Sequence, residues 1–135
     1  MRLAITIWEN RVSPLCDSAR LLSIFDVDGG RVDNERRISI ETGHPFTLVS
    51  RLSELKVDVL ICGGISESLS ARMDQYGIRV MPFISGQADQ ILRAFCSEQL
   101  DRPVYRMPGY GRGRKQHFRR RLGGRRGRSG NIFNL

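Results

Sequence analysis

The sequence predicts an α/β domain with a mixed five-stranded sheet flanked by helices, in the order β-β-β-α-β-α-β-α, followed by a disordered basic C-terminal tail. Three observations predict it. Two extended runs meet at an Asp-Gly-Gly turn in the first third of the chain. Beyond residue 44, apolar strand-like runs alternate with helical periods. The excess of positive charge falls after residue 101, so the 135-residue chain divides into a domain over 1–101 and a tail over 102–135.

Each element follows from its pattern. In "LAITIW" the residues Leu3, Ile5 and Ile7 alternate with Ala4 and Thr6, the period of a strand. "DGG" at Asp28 to Gly30 sits between two extended runs and marks a hairpin, with Asp26 and Asp28 serving the turn. The second arm, "RVDNERRISI", is too polar for a central strand and belongs at an edge. Leu48, Leu52 and Leu55 at i, i+4, i+7 give a helix, with Pro45 suited to its first turn. "VDVLIC" reads as a strand covered on both faces. After Gly63-Gly64, Ser66 caps a helix with an inner stripe of Leu69, Met73 and Tyr76, closed by a left-handed Gly77. "IRVMPFI" is a strand that Pro82 pushes to an edge. Last, Ser85 caps a helix whose inner face is Ala88, Ile91, Leu92 and Phe95.

Right-handed crossovers in the second half and hairpins in the first half fix the strand directions. Loops 8–19, 41–46, 63–66 and 83–87 then gather on one rim, above the carboxyl ends of the parallel strands. The first and fourth strands lie side by side there with their connections leaving in opposite directions, the place where open α/β sheets bind ligands. Helix N-termini aimed at such a rim favour an anion.

Composition bounds the partners. Residues 1–101 carry 11 basic and 14 acidic residues, net −3, whereas residues 102–135 carry 11 basic residues and no acid, net +11. The N-terminus lacks the pattern of a signal peptide, and no run is long and apolar enough for a membrane span. Three cysteines without a C-x-x-C pair, Cys16, Cys62 and Cys96, read as free thiols of a reducing, cytoplasmic compartment.

The glycine pair does not make a nucleotide site. It lacks the third glycine of G-x-G-x-x-G, no acidic residue follows at the end of the next strand, and there is no G-K-[ST]. Two readings stay open: glycine permits a tight strand-to-helix turn, or its missing side chains let a bulky anion reach backbone N–H groups. For Cys62 the readings are a buried thiol or a ligand reaching the rim. For His44 they are a metal ligand or a helix cap. Arg11 either counters anionic charge or is a solvated loop residue, and Ser13 and Pro14 shape the loop. No nucleophile, base and orienting group fall together, so the chain is read as a non-enzyme.

Four stretches, "NRVSP" at Asn10 to Pro14, "VDVLICGGI" at Val57 to Ile65, "YGIRV" at Tyr76 to Val80 and "SGQADQILRAF" at Ser85 to Phe95, resemble in order the NifX-like dinitrogenase iron-molybdenum cofactor-binding family over roughly the first hundred residues. The resemblance implies a ribonuclease-H-like fold without catalytic carboxylates, used to hold or deliver metal-sulfur clusters, with a cluster donor or recipient protein as the expected partner. Together with the rim topology, the expected cofactor-binding residues are Asn10, Arg11, Ser13, His44, Cys62, Gly63, Gly64, Ser66, Ser85 and Gly86, with Cys62 or His44 as the candidate metal ligand. The chain departs from the family at Cys16, where relatives commonly carry an aromatic residue, and at "TGHPF", an incomplete G-H-G pattern. Its arginine-rich tail is not general to the family, and "MPGYGRGRK" resembles relatives that carry cysteine near Tyr110.

The tail combines arginine, glycine and scattered aromatics without helical or strand period, too little apolar area to offset the entropy of ordering. It reads as a solvated end, as a nucleic-acid arm stacking bases on Tyr110 or Phe118, or as an arm for an acidic partner. The resulting expectation is a carrier of an anionic metal-sulfur cluster, the alternative a nucleic-acid-binding or regulatory interaction module acting through the tail.

Overall fold

A computed structural model describes residues 1–40 and 45–108. His44 and most of the tail, including Tyr110 and Phe118, lie outside the described residues. The elements are β1 (Arg2–Trp8), β2 (Arg11–Val12), β3 (Leu21–Asp28), β4 (Arg31–Ser39), α1 (Pro45–Glu54), β5 (Val59–Ile61), α2 (Glu67–Gln75), β6 (Arg79–Met81) and α3 (Ala88–Cys96). The five main strands are ordered β4-β3-β1-β5-β6, and the two-residue β2 pairs with β1 off this path.

The directions follow the predicted topology. β1 and β4 each run antiparallel to β3, whereas β5 runs parallel to both β1 and β6. Gly29 and Gly30 form the two-residue hairpin loop at φ +57° and +86°, a left-handed pair that glycine adopts without Cβ strain. The polar β4 and the proline-terminated β6 hold the two edges, and β1 and β5 meet at the centre.

Strand alternation builds two cores. Leu3, Ile5 and Ile7 of β1 join Val59 and Ile61 of β5 under Ile91 and Phe95 of α3. Ala4, Leu60 and Cys62 face the other way, against Leu48, Val49 and Leu52 of α1 and Leu69 and Met73 of α2. β5 is buried on both faces, which is why "VDVLIC" carries no alternation.

Three details differ from the sequence reading. Tyr76 is 51% exposed: it stands just past α2 as its C-cap, and the turn into left-handed Gly77 (φ +76°) takes it off the inner stripe. Gln87, not Ser85, is the N-cap of α3, which begins at Ala88, and the Ser85 N–H donates to the Tyr105 carbonyl at 2.8 Å. That bond belongs to a return segment beyond Asp101: the Met107 N–H donates to the Phe83 carbonyl at 2.9 Å, and Arg106 pairs with Ile84. Residues 102–108 thus continue the ordered domain.

Candidate functional site

The rim forms where the first loop crosses the carboxyl ends of β1 and β5. Glu9 and Asn10, at φ +50° and +65°, turn β1 into β2 and set Trp8 opposite Arg11. The Asn10 carbonyl accepts the Ala88 N–H and the Gly86 carbonyl accepts the Val12 N–H, each at 3.0 Å. These bonds tie the turn to the start of α3. Arg11 itself is exposed, whereas Ser13 is buried and its Oγ donates to the Leu15 carbonyl at 3.3 Å.

Gly63 and Gly64 receive this loop. The Gly64 N–H donates to the Pro14 carbonyl and the Gly64 carbonyl accepts the Cys16 N–H, both at 2.7 Å, so Leu15 pairs with Gly64 as an extra rung on the end of β5. A Cβ on Gly63 would collide with the Ser13 carbonyl oxygen and lie 2.6 Å from that of Pro14. The glycine pair therefore turns the chain where a second backbone crosses, and its missing side chains are filled by that backbone.

The N-terminus of α2 has its own anion. The Asp17 carboxylate accepts the Ser66 N–H at 3.0 Å and the Ser66 hydroxyl at 2.6 Å, while Ser66 Oγ in turn caps the Leu69 N–H at 3.3 Å. A carboxylate from the first loop thus sits where the helix dipole favours negative charge. With Gly64, Ser66 and Ser85 N–H groups engaged by the protein, the rim offers fewer backbone donors than the helix count suggested.

Beside this lattice lies a cleft of about 470 Å³, lined by Trp8, Ser13, Pro14, Leu15, Ser18 and Arg20. Trp8 and Leu15 are 53% and 59% exposed, an aromatic and an aliphatic side chain left in solvent at the carboxyl end of β1. Arg20, which lines the cleft, is exposed, as is Arg11 on the neighbouring turn. The cleft is concave, partly apolar and includes Arg20 in its lining, which suits an anionic ligand with a polarisable body. Its signal in the sequence was the tryptophan ending an alternating strand; Leu15, Ser18 and Arg20 occupy an irregular loop where no period identifies them.

Cys62 lies beneath the rim. Its side chain is fully buried, and the fully buried Cys16 lies against it. The hydrogen-bonding interaction with Cys16 and burial hold the Cys62 thiol well above its usual range. Among the described residues no three His, Cys, Asp or Glu side chains converge as metal ligands.

Fold and rim together define a small mixed-sheet α/β protein with a cleft between the end of β1 and the loop that leads to β3. The dinitrogenase iron-molybdenum cofactor family model matches residues 1–98, and the chain belongs to that family. Among solved structures, PH0822 superposes with a TM-score of 0.71 at 20% identity, over 74% of this chain and 92% of that one. The protein mj0327 of Methanocaldococcus jannaschii is also similar: its crystal structure gives a TM-score of 0.60 at 20% identity, over 74% of this chain and 91% of that one. Its NMR structure gives 0.59 at 19% identity, over 81% and 94%. No curated protein sequence matches. At these identities the structural likenesses establish the fold. No helix among the described residues is long and apolar enough to cross a membrane.

Proposed function

We propose that the chain is a non-catalytic carrier that binds an anionic metal-sulfur cluster, of the iron-molybdenum type that names its family, as transient cargo in the rim cleft. The observation that carries this reading is the pairing of exposed Trp8 and Leu15 with Arg20 around a cavity of about 470 Å³ at the end of β1. Sulfide faces of a cluster are soft and weakly hydrated, so they pack on an indole and an isobutyl group while the guanidinium groups of Arg20 and Arg11 balance the charge. Few fixed ligands suit cargo that must leave again. His44, outside the described residues, is the candidate for a single ligand, and a donor or recipient protein completes the cycle.

Anaerobic titration of the full chain with tetrathiomolybdate and with a synthetic iron-sulfur cluster, followed by charge-transfer absorption, tests the reading. Saturable binding is expected, weakened about tenfold, or roughly 1.4 kcal/mol, by Arg20→Glu or Trp8→Ala. Equal affinity in both variants overturns it. A second reading rests on the charge of residues 102–135, 11 basic residues without an acid. That segment would neutralise nucleic-acid phosphates or an acidic partner, with affinity falling steeply as salt rises.

A further inference from the structure

Two cysteines 46 positions apart in the chain meet in the core between the sheet and α1/α2. The crossing of the first loop over the glycine pair brings them together: the Cys16 N–H bonds the Gly64 carbonyl two residues beyond Cys62. Both are free thiols, both are buried, and Cys16 interacts with the Cys62 side chain. A third group completes the setting. Thr6 is wholly buried and its Oγ1 has no hydrogen-bond partner among the described residues. The β1–β5 register pairs Ala4 with Leu60 and Ile5 with Ile61, so Thr6 comes next to Cys62, on the face that holds Ala4, Leu60 and both thiols. A buried hydroxyl without a partner costs about 1–3 kcal/mol and calls for an explanation.

We propose that Cys16 Sγ and Cys62 Sγ form a two-coordinate site for a thiophilic d10 cation of the Cu(I) class, with Thr6 Oγ1 donating a hydrogen bond to one of the bound sulfurs. Soft thiolates select such cations, and two ligands suffice for them where zinc takes four. Binding forms two sulfur–metal bonds and releases both thiol protons to solvent, and the metal keeps its oxidation state, so no oxidant or reductant is consumed. Without metal, the interaction with Cys16 and burial hold the Cys62 thiol in its protonated, unreactive form. Metal binding converts the sulfurs to acceptors and supplies the acceptor that Thr6 lacks. Entry requires the loop bearing Cys16 to lift, and the Asp17 clasp on Ser66 is the contact that opens. The site is separate from the cargo cleft and does not depend on the cluster reading.

The test is anaerobic loading of the reduced full chain with Cu(I), with affinity set by competition against a chromogenic Cu(I) chelator. One equivalent should bind in wild type and in Cys96→Ser, with X-ray absorption showing two sulfur neighbours and no nitrogen. Cys16→Ala and Cys62→Ala should each abolish that equivalent. Thr6→Val provides a variant that keeps both thiols and the packing volume. It should weaken Cu(I) binding about 10–100-fold, the usual range for an outer-shell hydrogen bond, while the metal-free protein becomes no less stable. Copper retained at full affinity without either cysteine, or a nitrogen-rich absorption signature, overturns the proposal.

Discussion

Replacing Gly63 by alanine probes the crossing of the two backbones. Neither Gly63 nor Gly64 has a positive φ, so a methyl group brings no conformational strain at either position, and the usual effect would be a gain of about 0.4–1 kcal/mol from a stiffer unfolded chain. At Gly63 the methyl would collide with the Ser13 carbonyl oxygen and lie 2.6 Å and 2.8 Å from the carbonyl oxygen and carbon of Pro14. These are backbone atoms that cannot rotate away, so the loop must move. Overpacking costs about 1–3 kcal/mol. Moving the loop weakens the Gly64–Pro14 and Cys16–Gly64 hydrogen bonds, each worth about 0.5–1.5 kcal/mol net. The expected loss is therefore about 2–5 kcal/mol by urea unfolding of the full chain. Gly64→Ala is the control: its methyl meets the Pro14 oxygen at 3.3 Å and Leu15 Cδ2 at 3.6 Å, contacts that relax with small shifts, so a loss under about 1 kcal/mol is expected. A Gly63→Ala protein as stable as wild type that had lost cluster binding would refute this reasoning and return the glycine pair to a ligand-cradling role.

Other predictions follow from the same contacts. Asp17→Ala removes the carboxylate from the start of α2 and should cost about 1 kcal/mol, the usual value of a helix cap, in the same unfolding assay. Asp26, bonded first by Arg2 and then by Asn34, is held below its ordinary pKa of 3.8. A depressed carboxylate stabilises above its unfolded pKa, so the difference in stability between wild type and Asp26→Asn should be full at neutral pH. It should fade as pH falls below about 4 through the folded value. A difference that grew on acidification would contradict the assigned ion pair. A chain ending at Asp101 should melt below one ending at Pro108, because it loses the bond from the Ser85 N–H to the Tyr105 carbonyl and that from the Met107 N–H to the Phe83 carbonyl; equal melting would show the return segment to be dispensable.

The sheet order was legible because each strand carries its position in its side chains. The charged β4 could only be an edge, the uninterrupted "VDVLIC" could only be central, and Asp28-Gly29-Gly30 could only turn. Direction followed from crossover handedness, which brought the first loop, the glycine pair and the start of α3 to one rim. What sequence could not provide was the atomic neighbour of each rim residue. Pattern distinguishes a helix N-terminus from a strand, yet it does not reveal that Asp17, 49 residues earlier, occupies the end of α2 at Ser66. It places Cys62 at the end of a central strand without showing the loop that covers it. Cys16 and Leu15, adjacent in the chain, part company for the same reason: Leu15 is exposed at the cleft while Cys16 turns into the core, a choice made by the backbone pairing with Gly64. The return of residues 102–108 was hidden by the basic composition that follows it.

The central claim, that cargo sits in the cleft at the end of β1, is tested most directly by nuclear magnetic resonance of the 15N-labelled full chain titrated anaerobically with tetrathiomolybdate, a diamagnetic anion of molybdenum and sulfide. The account predicts that the Trp8 indole N–H and the amides of Ser13, Leu15, Ser18 and Arg20 shift together and saturate, while those at the β3–β4 hairpin stay in place. Saturable shifts confined to residues 109–135, with Trp8 unmoved, would contradict it.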